Sequence, residues 1–350
     1  MRQSILLFTA VCSIALLIVA DRYFIRETLR SDVVEMHRAS ELAERWMKIV
    51  EEEKVRRLGN AGEAISLLHG GLLGEEYSEI TTTLGSLEAK ELSLRPDFAA
   101  LMVRLLHDAG VDSNAVVGLM LSGSFPAIAI STLAALQTLG VHTVITSSLG
   151  ASSYGANQPE ATWIDIEGWL GKRGSLKLRS TLVSLGAEAD TGGGLSEEGI
   201  ALLQDAAKRN GVQIYNSGDL KTAIDERVSL FTDAKIQLLI NIGGNQTALG
   251  GCVHASTIPY GYHRHLRTCQ DRDRGVLARM NESGIPVIHI LNIRSLAADY
   301  HFPSNPSKSA TRFSGVYYEQ RPQSGYIALC IAVIVSFVIV AGRAKNKKKG

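Results

Sequence analysis

The chain has 350 residues, and 36 Lys and Arg stand against 35 Asp and Glu for a formal net charge of +1. That balance, with no basic stripe interleaved with aromatics, argues against a nucleic-acid partner. Glycine is frequent (33 residues) and aromatics make up only 6%, which suits an α/β domain with many tight turns better than a β-sandwich.

Two uncharged apolar runs bracket everything else. The first is Ser4–Ala20, SILLFTAVCSIALLIVA; the second is Tyr326–Ala341, YIALCIAVIVSFVIVA. Each is about long enough to cross the hydrocarbon core as a slightly short helix. Arg343, Lys345, Lys347, Lys348 and Lys349 follow the second run, a positive-inside signal. Two spans put both termini on one side and the body of the chain outside the cytoplasm. The expected organisation is an N-terminal anchor over 1–22 and a C-terminal transmembrane helix over 326–342, with a basic cytoplasmic tail over 343–350. A cleavable signal peptide is the rival reading of the first run, with Arg2 as its basic start. Asp21-Arg22-Tyr23 after Ala20, and the length of the run, favour an uncleaved anchor.

Residues 23–110 read as a helical neck and a helical subdomain. Val33, Met36, Leu42, Trp46 and Ile49 recur at helical spacing. Glu51, Glu52 and Glu53 precede Lys54, Arg56 and Arg57 as a solvated face, and a stalk is the expected role. Thr81–Gly85 marks a break or short strand. From Val111 the pattern changes to short apolar strands alternating with helices. Strands are expected at Val116–Leu121, His142–Thr146, Val212–Tyr215, Gln237–Ile242 and Val287–Leu291. Helices are expected at Ala127–Leu139, at Leu195–Asn210 with Ser196 as N-cap, and at Gly275–Ser283. This rhythm predicts a mostly parallel, doubly wound sheet over 111–302. A Pro-, Ser-, Gly- and Tyr-rich linker over 303–325 leads into the second run.

Cysteine adds little. Cys12 and Cys330 fall in the apolar runs. Cys252 and Cys269 could pair outside the cytoplasm or remain free thiols.

Open α/β sheets bind ligands at the carboxyl ends of their strands, and three such ends are unusual. Ser122-Gly123-Ser124-Phe125-Pro126-Ala127 passes from strand to helix through small residues. Ser124 is read as a ligand loop, a plain capping serine or a nucleophile; Ser122 is the second nucleophile candidate. The hydrolase elbow G-x-S-x-G is only partly matched, because Ser122 and Pro126 occupy the glycine places around Ser124. The second end is the hydroxyl- and amide-rich segment Ser147–Pro159, with Ser152, Ser153 and Tyr154 at its centre. Such a loop is costly to order unless it binds something or packs on itself. Asp165 and Glu167 follow; on a strand they share a face and could serve as a metal or acid/base pair, though an exposed polar edge is the commoner arrangement. The third end is Gly243–Gly251, where Gly244, Asn245 and Gln246 can present amides to an uncharged or carboxylate ligand. It has neither the G-x-x-x-x-G-K-[ST] nor the G-x-G-x-x-G spacing, so no nucleotide cofactor is expected. His254, His263, Arg264, His265 and Arg267 lack firm metal-ligand spacing and read as a surface or anion-contacting patch. Asp190–Gly194 reads as a flexible connection.

Four stretches together are similar to the poly-gamma-glutamate system protein family: SGSFPA (Ser122–Ala127), SSLGASSYGANQPEATWIDIE (Ser147–Glu167), INIGGNQTALG (Ile240–Gly250) and GIPVIHILNIRSLAADY (Gly284–Tyr300). The resemblance covers about Val116–Tyr318. It implies a protein of the bacterial cell membrane, associated with the machinery that makes and exports poly-γ-glutamate. The implied partners are the polymer or the synthase and export proteins. It implies a pathway, not a reaction, and assigns no catalytic residue. The expected function is an accessory protein that binds the polyanion through Ser122, Gly123, Ser124, Ser152, Ser153, Tyr154, Gly243, Gly244, Asn245 and Gln246. The alternatives are a serine hydrolase or amide-bond transferase, with His254 or His289 as base, and a scaffold without a ligand site.

Overall fold

The computed structural model describes residues 10–16, 18–19, 25–59, 71–251, 257–267, 274–303 and 315–346. In chain order the elements are β1 (Ile25–Leu29), α1 (Val33–Leu58), β2 (Thr81–Thr83), α2 (Leu87–Ser93), α3 (Asp97–Asp108), β3 (Val116–Ser122) and α4 (Pro126–Leu139). They continue with β4 (His142–Ser148), β5 (Ala151–Ser152), α5 (Trp163–Arg173), β6 (Ser180–Ser184), α6 (Glu197–Arg209), β7 (Ile214–Tyr215) and α7 (Leu220–Asp233). The last are β8 (Leu238–Ile242), α8 (Gln246–Leu249), β9 (Gly261–His263), α9 (Val276–Glu282), β10 (Val287–Ile290), α10 (Ile293–Asp299), β11 (Tyr318–Pro322) and α11 (Ser324–Asn346). The chain divides into two compact units, Met1–Ser31 with Tyr317–Gly350, and Asp32–Val316.

The larger unit is α/β. Its seven-stranded sheet has the order β7-β6-β4-β3-β8-β10-β9. All neighbours run parallel except the edge pair β10 and β9. From β3 the chain moves outward through β4, β6 and β7, then returns to place β8 and β10 on the other side. The winding therefore reverses between β3 and β8, where such sheets open a crevice at their carboxyl ends.

The central strand β3 is almost wholly apolar and buried because both faces of the sheet are covered. On one side Phe231 of α7 and Val276, Leu277 and Met280 of α9 pack with Met120, Leu239 and Val287. Another cluster joins Ile164 of α5 and Leu203 and Ala206 of α6 to Val183 and Leu149. Helix α4 is buried nearly all round, as expected of a helix with no polar face. It packs against α1 and α3.

The expected stalk is corrected here. Met36, Ala39, Ala43, Trp46, Met47 and Val50 of α1 are buried, and α1 lies along α4, α3 and α5. The described residues of 32–110 thus belong to the same unit as the sheet. Charge alternation suggested a solvated helix, but Glu53 and Lys54 are buried too. Glu53 is held by Arg173 at 3.0 Å, and Lys54 Nζ donates to the carbonyls of Leu72 and Leu73 at 3.2 and 2.8 Å.

In the smaller unit β1 and β11 form a two-stranded antiparallel ribbon with Ile25 opposite Pro322. The chain therefore enters at residue 25 and leaves at residue 322 from the same end of the ribbon. Among the described residues no helix is long and apolar enough to cross a membrane. The expected span Ser4–Ala20 lies partly outside the described residues, which show helix only at 10–16 and 18–19. The second expected span, Tyr326–Ala341, lies within α11. Cys252 and Cys269 lie outside the described residues.

The loop after β6 is tied to α7 by a buried ion pair. Arg227 Nη2 meets Asp190 Oδ2 at 2.7 Å, with both side chains at most 3% exposed. Ser184 Oγ donates to Asp190 Oδ1 at 2.8 Å and accepts from Arg227 at 2.9 Å. Removing one partner of a buried, hydrogen-bonded pair strands the other charge in a low dielectric. Arg227→Leu is expected to lower unfolding free energy by roughly 3–5 kcal/mol, measured by urea denaturation of the full chain. A loss below about 1 kcal/mol contradicts this account.

Candidate functional site

The carboxyl ends of β3, β4, β6, β8 and β10 open onto one cavity of about 750 Å³. Ser122 at the end of β3 and Ser124 and Phe125 in the β3–α4 turn line it, as do Ser148 at the end of β4 and Gly150 and Ser152 beyond it. Gly244, Asn245 and Gln246 line it after β8, and Asn292, Ile293 and Arg294 after β10. The three strand ends expected from the sequence thus converge, because each follows a strand adjacent to the reversal at β3 and β8.

Six of the ten expected ligand-binding residues line the cavity: Ser122, Ser124, Ser152, Gly244, Asn245 and Gln246. The other four support it. Gly123 lacks room for a side chain, since a Cβ there would lie 2.8 Å from Leu149 O. Gly243 sits at φ 94°, and a Cβ would approach Ser122 Oγ to 2.9 Å. Ser153 and Tyr154 bind backbone: their N–H groups donate to Thr83 O at 3.0 Å and Glu75 O at 2.7 Å. Burial, then the neighbouring Glu76, push the Tyr154 hydroxyl pKa up.

Much of the Ser147–Pro159 segment is ordered by its own packing. Asn157 is fully buried. Its Oδ1 accepts from Glu75 N at 3.0 Å, and its Nδ2 donates to Glu75 O at 2.8 Å and Thr81 Oγ1 at 2.9 Å. Gly74 leaves space for it: a Cβ there would lie 2.0 Å from Asn157 Oδ1.

Three carboxamides of the rim share one arrangement. Asn245 Oδ1 caps α8 by accepting from Ala248 N at 2.8 Å. Asn292 Oδ1 caps α10 by accepting from Ser295 N at 3.1 Å. Gln246 Oε1 accepts from Ala189 N at 2.7 Å. Each oxygen being used by a backbone N–H, the –NH2 groups remain to donate, and donors suit a carboxylate. Gln246 also corrects the expected flexibility of Asp190–Gly194, since this loop is held by Gln246 on one side and Arg227 on the other. Gly193 and Gly194 line the cavity.

Lys90 is, with Asn292 and Arg294, among the cavity residues that sequence reasoning missed. It lies on α2, whose N-cap Ser86 accepts from Ala89 N at 3.3 Å. Its side chain is 1% exposed yet reaches the cavity wall. Nζ donates to Ser124 O, lies 2.9 Å from Ser152 Oγ and stands 4.3 Å from the centre of the Phe125 ring. Burial pushes its pKa down to about 7, with no charged neighbour offsetting it. Nothing in the local sequence LEAKELS distinguishes this lysine from a surface one.

The expected hydrolase constellation is not assembled among the described residues. Ser124 Oγ accepts from Ser152 N at 3.1 Å, and Ser122 Oγ from Ser124 N at 3.4 Å. His254 lies outside the described residues. His289 is fully buried inside β10, where Nδ1 accepts from Asn241 Nδ2 at 3.0 Å. Burial, with His263 nearby, pushes its pKa down to about 4, and it does not line the cavity. The edge patch of His263, Arg264, His265 and Arg267 does not line it either.

Asp165 and Glu167 form neither a metal pair nor an exposed edge. They lie on helix α5, not a strand, and both are buried. Asp165 closes a capping box with Thr162 and pairs with Arg209 at 2.5 Å, while Glu167 accepts from Ser180 N at 3.1 Å. No group of three or more His, Cys, Asp or Glu able to hold a metal occurs among the described residues.

The sign of the Lys90 effect on stability follows from its depressed pKa. The unfolded chain holds this proton up to the ordinary 10.5, while the folded chain releases it near 7. The unfolded state therefore binds more protons across that window, and stability climbs as pH rises from about 7 toward 10. Lys54, pushed down to about 7 mainly by burial, adds a slope of the same sign. Urea midpoints measured against pH are expected to rise less steeply in Lys90→Met than in the parent chain. Equal slopes contradict the assignment. Comparison with family models, with curated proteins and with solved structures yields no match for this chain.

Proposed function

We propose that the chain is a membrane-anchored accessory protein of poly-γ-glutamate synthesis, export or attachment, holding the polymer in the cavity of its α/β domain. One observation carries this reading. Each of the four stretches similar to the poly-gamma-glutamate system family contributes to the same cavity: Ser124 from the first, Ser152 from the second, Gln246 from the third and Arg294 from the fourth.

The chemistry of the wall suits the ligand. A γ-linked glutamate chain offers a carboxylate and a secondary amide at every unit. The –NH2 groups of Asn245, Gln246 and Asn292 donate to carboxylates, with Arg294 adding charge. Thr82, Thr83 and Ser86 also line the cavity, and hydroxyls serve either partner of an amide. Anchoring is supported by the outward apolar side chains of the smaller unit. Val11, Ile14, Ile18, Leu329, Ile331, Val335 and Val338 are each at least 49% exposed, which water disfavours and lipid accepts.

Calorimetric titration of the detergent-purified full chain with oligo-γ-glutamate is expected to give binding that weakens as salt is raised. Arg294→Ala removes only an exposed pair with Glu88 at 3.1 Å, so folding is preserved. Affinity is expected to fall about tenfold. No binding by the parent chain at low salt overturns the proposal. In cell fractionation the chain is expected to stay in the membrane pellet after an alkaline carbonate wash; its release overturns the anchoring.

A further inference from the structure

The hydroxyls of Ser124 and Ser122 make no hydrogen bond to a histidine or lysine side chain among the described residues, whereas that of a neighbouring serine does lie against a lysine. We infer that Ser152 and Lys90 form a nucleophile–base pair that cleaves or transfers acyl groups at amide bonds of a chain lying in this cavity. The substrate class rests on the polymer reading above; the pair itself does not.

The geometry is that of an activated serine. Ser152 Oγ is 2.9 Å from Lys90 Nζ, within the reach a general base needs. Both residues line the cavity. Gly85 stands over them, its missing side chain leaving Ser152 Oγ and Lys90 Cε each 3.4 Å from where a Cβ would be. The Ser152 backbone is held from both sides. Its N–H donates to Ser124 Oγ at 3.1 Å, and β5 pairs with β2. Lys90 is oriented by the Ser124 carbonyl and the Phe125 ring face.

A lysine acts as a base only when neutral, and burial, which pushes its pKa to about 7, supplies that form at ordinary pH. A neutral amine has two N–H bonds and one lone pair. One N–H donates to Ser124 O, and the lone pair accepts the Ser152 hydroxyl proton. Among the described residues, the other charged groups at the cavity are Glu188 and Arg294. On α2 itself, Glu88 is paired with Arg294 and Glu91 is half-buried.

The step balances without a co-reactant other than water. Ser152 Oγ attacks the carbonyl carbon as its proton passes to Lys90. The C–N bond then breaks, and Lys90 returns the proton to the departing amine. Water, or an acceptor amine, attacks the acyl-serine, gives a proton to Lys90 and releases Ser152, which regains its hydrogen.

The test treats the detergent-purified full chain with an alkyl fluorophosphonate and locates the adduct by peptide mass. Ser152 is expected to carry the phosphonyl group with loss of fluoride. Ser152→Ala removes that adduct. Lys90→Met and Lys90→Arg slow it at least about 100-fold. The parent rate rises with pH to a plateau and is half-maximal near pH 7. Should both lysine variants fail to fold, the parent pH profile decides, and a profile flat from about pH 5.5 to 9 overturns the pair. Oligo-γ-glutamate binding is measured on the same preparation. A folded chain that binds the oligomer but leaves Ser152 unmodified overturns the pair and spares the binding reading. A labelled Ser152 in a chain that ignores the oligomer upholds the pair and overturns only the polymer.

Discussion

A buried amine with no opposite charge in reach among the described residues organises the end of the sheet where the cavity opens. Lys90 can be accommodated there only if dipoles replace the water it has lost. The Ser124 carbonyl, the Ser152 hydroxyl and the Phe125 ring face provide them. Those three groups come from the β3–α4 turn and from β5, so one side chain of α2 holds two separate strand ends at fixed spacing. The same burial that makes the lysine awkward as an ion makes it available as a base. Position and reactivity have one cause.

Around this point the cavity follows from winding. A chain that starts in the middle of a sheet and reverses direction leaves adjacent carboxyl ends with connections diverging to either side. Here the divergence lies between β3 and β8. Small residues keep the gap open. Gly123 and Gly243 have no room for a Cβ, and Gly243 needs a left-handed backbone as well. The floor is therefore built from backbone and hydroxyls, and the longer polar side chains stand at the rim.

The rim is rigid for separate reasons on each side. Asn157 ties the β5 segment to Glu75 and Thr81. Asp190 and Arg227 tie the loop after β6 to α7, and Gln246 bridges from α8 to Ala189. Each tie satisfies polar groups that would be costly to bury unpaired. A preorganised wall of donors loses little entropy on receiving a ligand.

Local pattern alone determined a good deal. The continuous apolar run Val116–Leu121 marked β3, as a parallel strand covered on both faces needs no polar alternation, and the short strands expected at Gln237–Ile242 and Val287–Leu291 correspond to β8 and β10. Ser196 capped α6 as read, and the glycine-rich strand ends at Ser122, Ser148 and Gly244 were recognisable because backbone constraints are written in small residues. Other features had no local signature. Asp165 and Glu167 were expected as a pair on a strand or as an exposed edge, whereas the helix and the partners that hold them, Arg209 and Ser180, are set by residues further along the chain. The stalk failed because the same charge pattern that solvates a lone helix also covers the outer side of a packed one. Lys90 was invisible for the plainest reason: burial, and with it the shifted proton affinity and the contact with Ser152, is a property of what surrounds a residue, and only tertiary structure brings residues 90, 124 and 152 together.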